Sequence, residues 1–294
     1  FAQVMVSTMG RIVRTYEPDL IVATHPFPEG AAALWRTRHG DSYALAALLT
    51  DYALHAIWLV RGVDQYFVAT ETMAAEMAAR GFDTHSVCAT GIPIARADYS
   101  LSRREAQEQA GLDGDLPTVL LMGGGLGIGG MDRTLAALET LDRRLAILVV
   151  AGRNDVLEVH ARRVAETSRH VIRVFAYINE VPVLMRAADL LITKPGGLTL
   201  SEAFAAGLPL LLHDPIPGPE TENAVYATRH GAAVWLHPGE CMASAVEILA
   251  HRIPEMRKAA RICARENAAA DVAEILADML TRKRGHAYDT AKNP

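Results

Sequence analysis

Apolar positions along the chain fall into short continuous runs, separated by longer stretches with helical spacing. Residues 20–24, 44–49, 65–69 and 85–90 are runs of the first kind. After a polar stretch over 100–116 the rhythm restarts with 118–122, 145–151, 171–175, 190–193, 209–212 and 232–236. Such short runs, apolar at consecutive positions, predict strands of parallel sheets covered on both faces. Helices are expected at 30–39 and 70–80, the second closed by Gly81. Met5, Met9, Ile12 and Tyr16, at 4-3-4 spacing, predict one apolar stripe on an opening helix. The fold class is therefore α/β, with doubly wound parallel sheets. The expected domains are 1–100 and 115–270, followed by a C-terminal helix and tail over 271–294.

Length and charge narrow the picture. At 294 residues the chain is long enough for two domains. Lys and Arg number 29 against 34 Asp and Glu, a net charge of −5, so a basic nucleic-acid footprint is absent at whole-chain level. Cys88, Cys241 and Cys263 show no CxxC spacing, which argues against a zinc ribbon or disulfide framework and fits a reducing cytosol. The longest apolar runs, 145–151 and 203–212, fall well short of the ~18 residues a membrane span needs. No signal-peptide pattern opens the sequence. It starts on Phe1 as though inside a helix, and the expectation is that the N-terminal domain lacks its beginning.

In parallel α/β sheets, ligands bind beyond the C-terminal ends of the strands, so the loops there carry the candidate chemistry. Gly123-Gly-Gly-Leu-Gly-Ile-Gly-Gly130 follows one such strand. Its glycines let backbone approach phosphate oxygens ahead of a helix N-terminus. The plain alternative is a Gly-rich turn without a ligand. A dinucleotide fingerprint fails here, because the next strand ends Val149-Val-Ala-Gly-Arg153 with no acid for the ribose; no Gly-Lys-Ser/Thr follows the run either. Arg153 can fork onto a phosphate, pack over a base, or simply close a turn. Thr193-Lys-Pro-Gly-Gly-Leu-Thr-Leu-Ser-Glu202 is sharper. Gly196 and Gly197 would lead into a helix starting near Leu198. Its N–H groups and the Thr199 hydroxyl suit an anion, and Glu202 suits a ribose diol. Pro217-Gly-Pro-Glu-Thr-Glu-Asn223 stiffens a loop carrying Glu220 and Asn223, either for sugar hydroxyls or as a helix-capping cluster.

These blocks, with Pro18-Asp-Leu-Ile-Val-Ala-Thr-His-Pro26 and Leu49-Thr-Asp51 in the first half, resemble the monogalactosyldiacylglycerol synthases and processive diacylglycerol glucosyltransferases, relatives of MurG. The resemblance runs from about Tyr16 to about Gly231. It implies a GT-B architecture of two facing Rossmann-like domains. It further implies an inverting transfer of a hexose from a UDP-sugar to a lipid such as diacylglycerol, without a metal or other cofactor. By position, Gly124 and Gly125 would approach the diphosphate. Arg153, Asn154 and the segment from Phe175 to Ile178 would surround the uracil, Thr199 would contact phosphate, Glu202 the ribose, and Glu220 and Asn223 the sugar. A membrane-lipid acceptor implies a peripheral protein on the inner face of the cell membrane.

Two positions depart from the family. Pro219 stands where members carry Gln, and the Gly-Gly-Gly-His loop bearing their catalytic base does not occur. The remaining candidates for the base are His25, Asp51 and His55, all following N-terminal strands, with Trp58 beside them on the acceptor side. Each has a structural alternative: a cap for His25 and Asp51, and a buried His–Trp pair for His55 and Trp58. The other function classes in play are a UDP-binding module without transfer activity and a non-hydrolysing UDP-sugar 2-epimerase.

Overall fold

The computed structural model describes residues 2–95, 101–113, 115–123 and 130–292. The chain divides into two compact units, residues 1–95 with 265–294, and residues 96–264.

In the first unit β1 (Leu20–Ala23), β2 (Ala44–Leu48), β3 (Gln65–Phe67) and β4 (Val87–Cys88) form a parallel sheet in that order. Every residue of β2 is buried, as a strand covered on both faces requires. The last strand is shorter than the predicted 85–90, because Asp83 caps a 3-10 turn over Thr84–Ser86 that takes up the start of the run.

The opening helix, α1 (Ala2–Tyr16), packs on α2 (Pro26–His39). Its buried face is Val6, Met9 and Val13, with Met5 packed against them; of the predicted stripe Met5 and Met9 face inward, while Ile12 is 42% and Tyr16 75% exposed. Gly10 explains the difference. A Cβ built there would stand 2.1 Å from the Trp35 ring, so α1 approaches α2 on its glycine and buries the residues flanking it. The second helix begins four residues before the predicted start, because His25 caps it and Pro26 suits its first position. α3 (Glu71–Ala79) starts under a Thr70 cap, close to the predicted bounds.

The last helix, α12 (Ala268–Lys292), returns to this unit, where Val272 packs with Ala46, Leu48 and Phe67. Residues 265–270, expected in the second domain, thus belong to the first unit, and 271–294 are part of it rather than a separate tail.

The second unit begins earlier than 115. It includes α4 (Arg103–Gln109), opened by a Ser102–Glu105 capping box inside the stretch read as a domain break. Its strands are β5 (Thr118–Met122), β6 (Ala146–Gly152), β7 (Val171–Ala176), β8 (Leu190–Thr193), β9 (Leu210–Leu212) and β10 (Ala233–Trp235). They form one parallel sheet in the order β10-β9-β8-β5-β6-β7. The chain runs outward from β5 through β6 to β7, then returns to the other side of β5 and runs outward again. The strand order therefore reverses between β5 and β8, the place where open α/β sheets leave a ligand crevice. The helices are α5 (Met131–Leu138), α6 (Asp155–Thr167), α7 (Val181–Ala187), α8 (Gly197–Ala206), α9 (Pro219–Arg229), α10 (Met242–Leu249) and α11 (Ile253–Cys263). One face of the sheet packs under α5, α6 and α10 through Leu121, Leu135, Ile147, Val149, Leu157 and Val246. Burying such side chains, at ~1.5–3 kcal/mol each, holds the strand ends in fixed register.

Candidate functional site

The last residues of β5 and β8 are register partners, Met122 opposite Thr193. The two glycine-bearing loops singled out from the sequence therefore leave the sheet side by side. Both lead into helices that start on glycine without a side-chain cap: Gly130 for α5 and Gly196 for α8. The first N–H groups of a helix lack intrahelical acceptors, and the dipole makes that end positive. Two such ends at a switch point favour an anion of the size of a diphosphate. Gly124 and Gly125 lie outside the described residues.

α8 starts at Gly197, one residue before the predicted start. Gly196 brings its backbone close to Thr199, whose Oγ1 is 4.0 Å from where a Cβ on Gly196 would sit. Ser201 donates to the Gly197 carbonyl at 2.9 Å and is buried, a structural position. Glu202 follows Thr199 by three residues, is half-buried, and has its carboxyl pushed up by burial. A pair of hydroxyl donors, as on a ribose, would compensate that desolvation.

Beyond the neighbouring strand ends, the Arg153 guanidinium lies over the Tyr177 ring, 5.1 Å from its centroid, and both side chains are exposed. This is a cation–aromatic platform with a flat face, suited to a base. Tyr177 belongs to the 175–178 segment that the family resemblance implies for the uracil. Phe175 and Ile178, on either side, are half-buried. Asn154 caps α6, its Oδ1 accepting from Leu157 N at 3.0 Å, so its carbonyl is occupied by the fold.

On the other side of the switch point, Glu220 accepts from Ile216 N at 2.6 Å, a tie within the loop, while α9 starts after Gly218 without a side-chain cap. Asn223 is fully buried. His213, directly after β9, is a further residue the sequence reading passed over. It is 5% exposed, its Nε2 has no partner among the described residues, and burial lowers its pKa. Lys194 and Arg133 act in the same direction, and Asp214 opposes them. His213 is neutral at pH 7. With Gly130, Arg133, Asp214 and His237 it lines a cavity of about 340 Å³.

In the first unit both candidate histidines take capping positions. His25 accepts from Phe27 N through Nδ1 at 3.3 Å and caps α2. His55 does the same for Ile57 N at 3.3 Å, capping a 3-10 turn over Ala56–Trp58. A neutral imidazole that accepts at Nδ1 carries its proton on Nε2, so in these geometries both exposed rings offer a donor rather than a base. Asp51 is half-buried. Trp58 is 4% exposed, a buried residue of the unit.

Known proteins place this arrangement. Residues 1–94 match the model of the monogalactosyldiacylglycerol (MGDG) synthase family, and residues 118–279 that of the glycosyltransferase family 28 C-terminal domain. The chain is 36% identical over 225 residues to the processive diacylglycerol beta-glucosyltransferase of Bacillus cytotoxicus, covering 76% of this chain and 57% of that protein. It spans 57% to 66% of the length of the first such relatives. Among solved structures, Acinetobacter baumannii MurG superposes with a TM-score of 0.70 at 19% identity, over 93% of this chain and 77% of that one. A UDP-GlcNAc 2-epimerase from Neisseria meningitidis, bound to UDP-GlcNAc, gives 0.61 at 15% identity, over 94% and 81%. At these identities the likeness establishes the fold, two Rossmann-like domains of GT-B type. With the family 28 domain model covering more than half of the chain and agreeing with the switch-point geometry, the chain belongs to the glycosyltransferase family 28 proteins, with an N-terminal part of the MGDG synthase type.

Proposed function

We propose that this chain carries the donor half of an inverting UDP-sugar hexosyltransferase whose acceptor is a membrane lipid such as diacylglycerol. The observation that carries the reading is the pairing of Met122 with Thr193, which sets side by side the ends of two strands, each followed in the chain by a glycine-led helix start without a side-chain cap. In this reading the diphosphate lies at those helix ends, and Thr199 adds a hydroxyl donor. Glu202 takes the ribose, and uracil rests against Arg153 and Tyr177. As the glycosidic bond breaks, charge develops on the departing UDP, and preorganised N–H groups stabilise it without a metal. Glu220 and Asn223, though tied down locally, shape the loop at the sugar.

The acceptor hydroxyl needs a base. His25 or His55 fills that role only after its Nδ1 contact is exchanged, and Asp51 is the carboxylate alternative. A lipid acceptor implies peripheral attachment to the inner face of the cell membrane; no helix among the described residues is long and apolar enough to cross one. Two other readings keep the donor site: a UDP-binding module without transfer, favoured by both histidines serving as caps, and a UDP-sugar 2-epimerase, favoured by the shared fold.

The full-length protein, incubated with UDP-glucose in the presence and absence of diacylglycerol, separates them. A new glycolipid only when diacylglycerol is present is the expected result. Donor conversion without lipid would point to the epimerase, and no turnover in either arm to the module.

A further inference from the structure

Two arginines share one carboxylate, with two more in electrostatic reach of one of them, at the edge of the second unit where the strands begin, opposite the end that carries the glycine loops. Asp189, just before β8, accepts from Thr118 N at 2.9 Å and from Arg103 of α4, and pairs with Arg257 of α11 at 3.6 Å. Arg186, in the last turn of α7, and Arg261, one turn beyond Arg257 on the same helix, complete the group. The charges that act on Arg257 are Asp189 in its favour and Arg103, Arg261 and Arg186 against it, on top of the larger cost of burial. Arg103 and Arg257 share the single charge of Asp189, and neither Arg186 nor Arg261 pairs with a carboxylate among the described residues. Like charges at i and i+4 on one helix, as Arg257 and Arg261 are, cost free energy unless something negative sits between them.

Two of the guanidiniums are held in place by backbone carbonyls. Arg186 donates Nε–H to the Leu101 carbonyl at 2.7 Å, and Arg103 donates to the Ala187 carbonyl at 3.4 Å. Arg261 lies along Gly207, whose added Cβ would meet its Nε at 2.8 Å. They also reach the surface: the Arg103 side chain is 39% and that of Arg257 23% exposed. Partly desolvated, positioned guanidiniums with spare N–H donors match the oxygens of a phosphate better than those of a carboxylate or chloride.

We propose that Arg103, Arg186, Arg257 and Arg261 form a phosphate-binding site, separate from the switch-point loops. The phosphate belongs either to a small soluble molecule or to a lipid headgroup. The proposal does not rest on the transferase reading.

The test uses the whole chain, with saturating UDP present so that the glycine loops do not compete for the probe. Inorganic pyrophosphate is titrated at constant ionic strength set with sodium chloride, and thermal unfolding is followed. In parallel, the protein is sedimented with phosphatidylcholine vesicles with and without phosphatidylglycerol. The expected result is a rise in Tm with pyrophosphate, or sedimentation only with the phosphatidylglycerol vesicles; which one occurs identifies the source of the phosphate. Arg261→Gln, an exposed position, should weaken that binding about tenfold, and Arg257→Gln with Arg261→Gln should abolish it. Asp189 keeps Arg103 and Thr118 N in the double variant, and unchanged circular dichroism checks that it folds. Neither probe binding beyond the chloride control, or both variants binding as the parent does, would overturn the proposal.

Discussion

Replacing Glu29 with glutamine is expected to stabilise the protein by about 3 kcal/mol at pH 7 and to flatten its stability against pH. Glu29 lies in the first turn of α2 and is fully buried. Burial pushes its carboxyl up to about 8, and the neighbouring Tyr66 hydroxyl pulls it part of the way back. Both carboxyl oxygens of Glu29 are buried without a hydrogen-bond partner among the described residues.

The sign follows from proton counting. Between about 4.5 and about 8 the folded state holds a proton on Glu29 that the unfolded state has released. Stability then falls by about 1.4 kcal/mol per pH unit over that window, and the contribution levels off on either side. Glutamine keeps the shape and has no proton to lose. Urea unfolding at pH 4.5, 6, 7 and 8 should show the variant and parent converging at the acid end and separating as pH rises. Parallel curves across the window would mean that Glu29 is ionised in the folded protein.

Gly10→Ala is expected to destabilise the first unit by about 1–3 kcal/mol, although alanine is the better helix former by ~1 kcal/mol. The added methyl would stand 2.1 Å from the Trp35 ring, and that ring has nowhere to go. It is stacked on His39 at 3.6 Å between centroids, and its Nε1 donates to Asp41 at 2.5 Å. Moving it would break both contacts, so α1 must lift from α2. Ser7→Ala, on the exposed side of the same helix, should cost nothing or gain a few tenths of a kcal/mol. A Gly10→Ala variant as stable as Ser7→Ala would mean that the two helices are not packed this closely.

The same contact shows where the sequence stops being legible. Each predicted strand is present, because a strand buried on both faces leaves a run of apolar residues that no helix of that length would need. Which face of α1 is buried depends on a glycine meeting an indole two elements away, and hydrophobic spacing does not encode that pairing. The donor loops were legible for a local reason: glycines directly after buried strands, followed by helical patterns, have few other uses. What the spacing could not supply was the strand order, which sets the 118–122 and 190–193 ends next to each other. His25 and His55 stood out as polar residues after strands, but caps and bases share that position. They separate only once the helix starts are known and Nδ1 is found on a backbone N–H. His213 is not marked by the sequence, because an isolated histidine after a strand has no spacing pattern.

The most direct test of the donor site is calorimetric titration of this chain with UDP, with ADP and NAD as controls. It requires neither the acceptor nor the base. The account predicts binding selective for UDP, weakened about 100-fold by Glu202→Ala through the loss of two hydrogen bonds to a charged acceptor. A folded sample that does not bind UDP, or that binds ADP equally well, would contradict it.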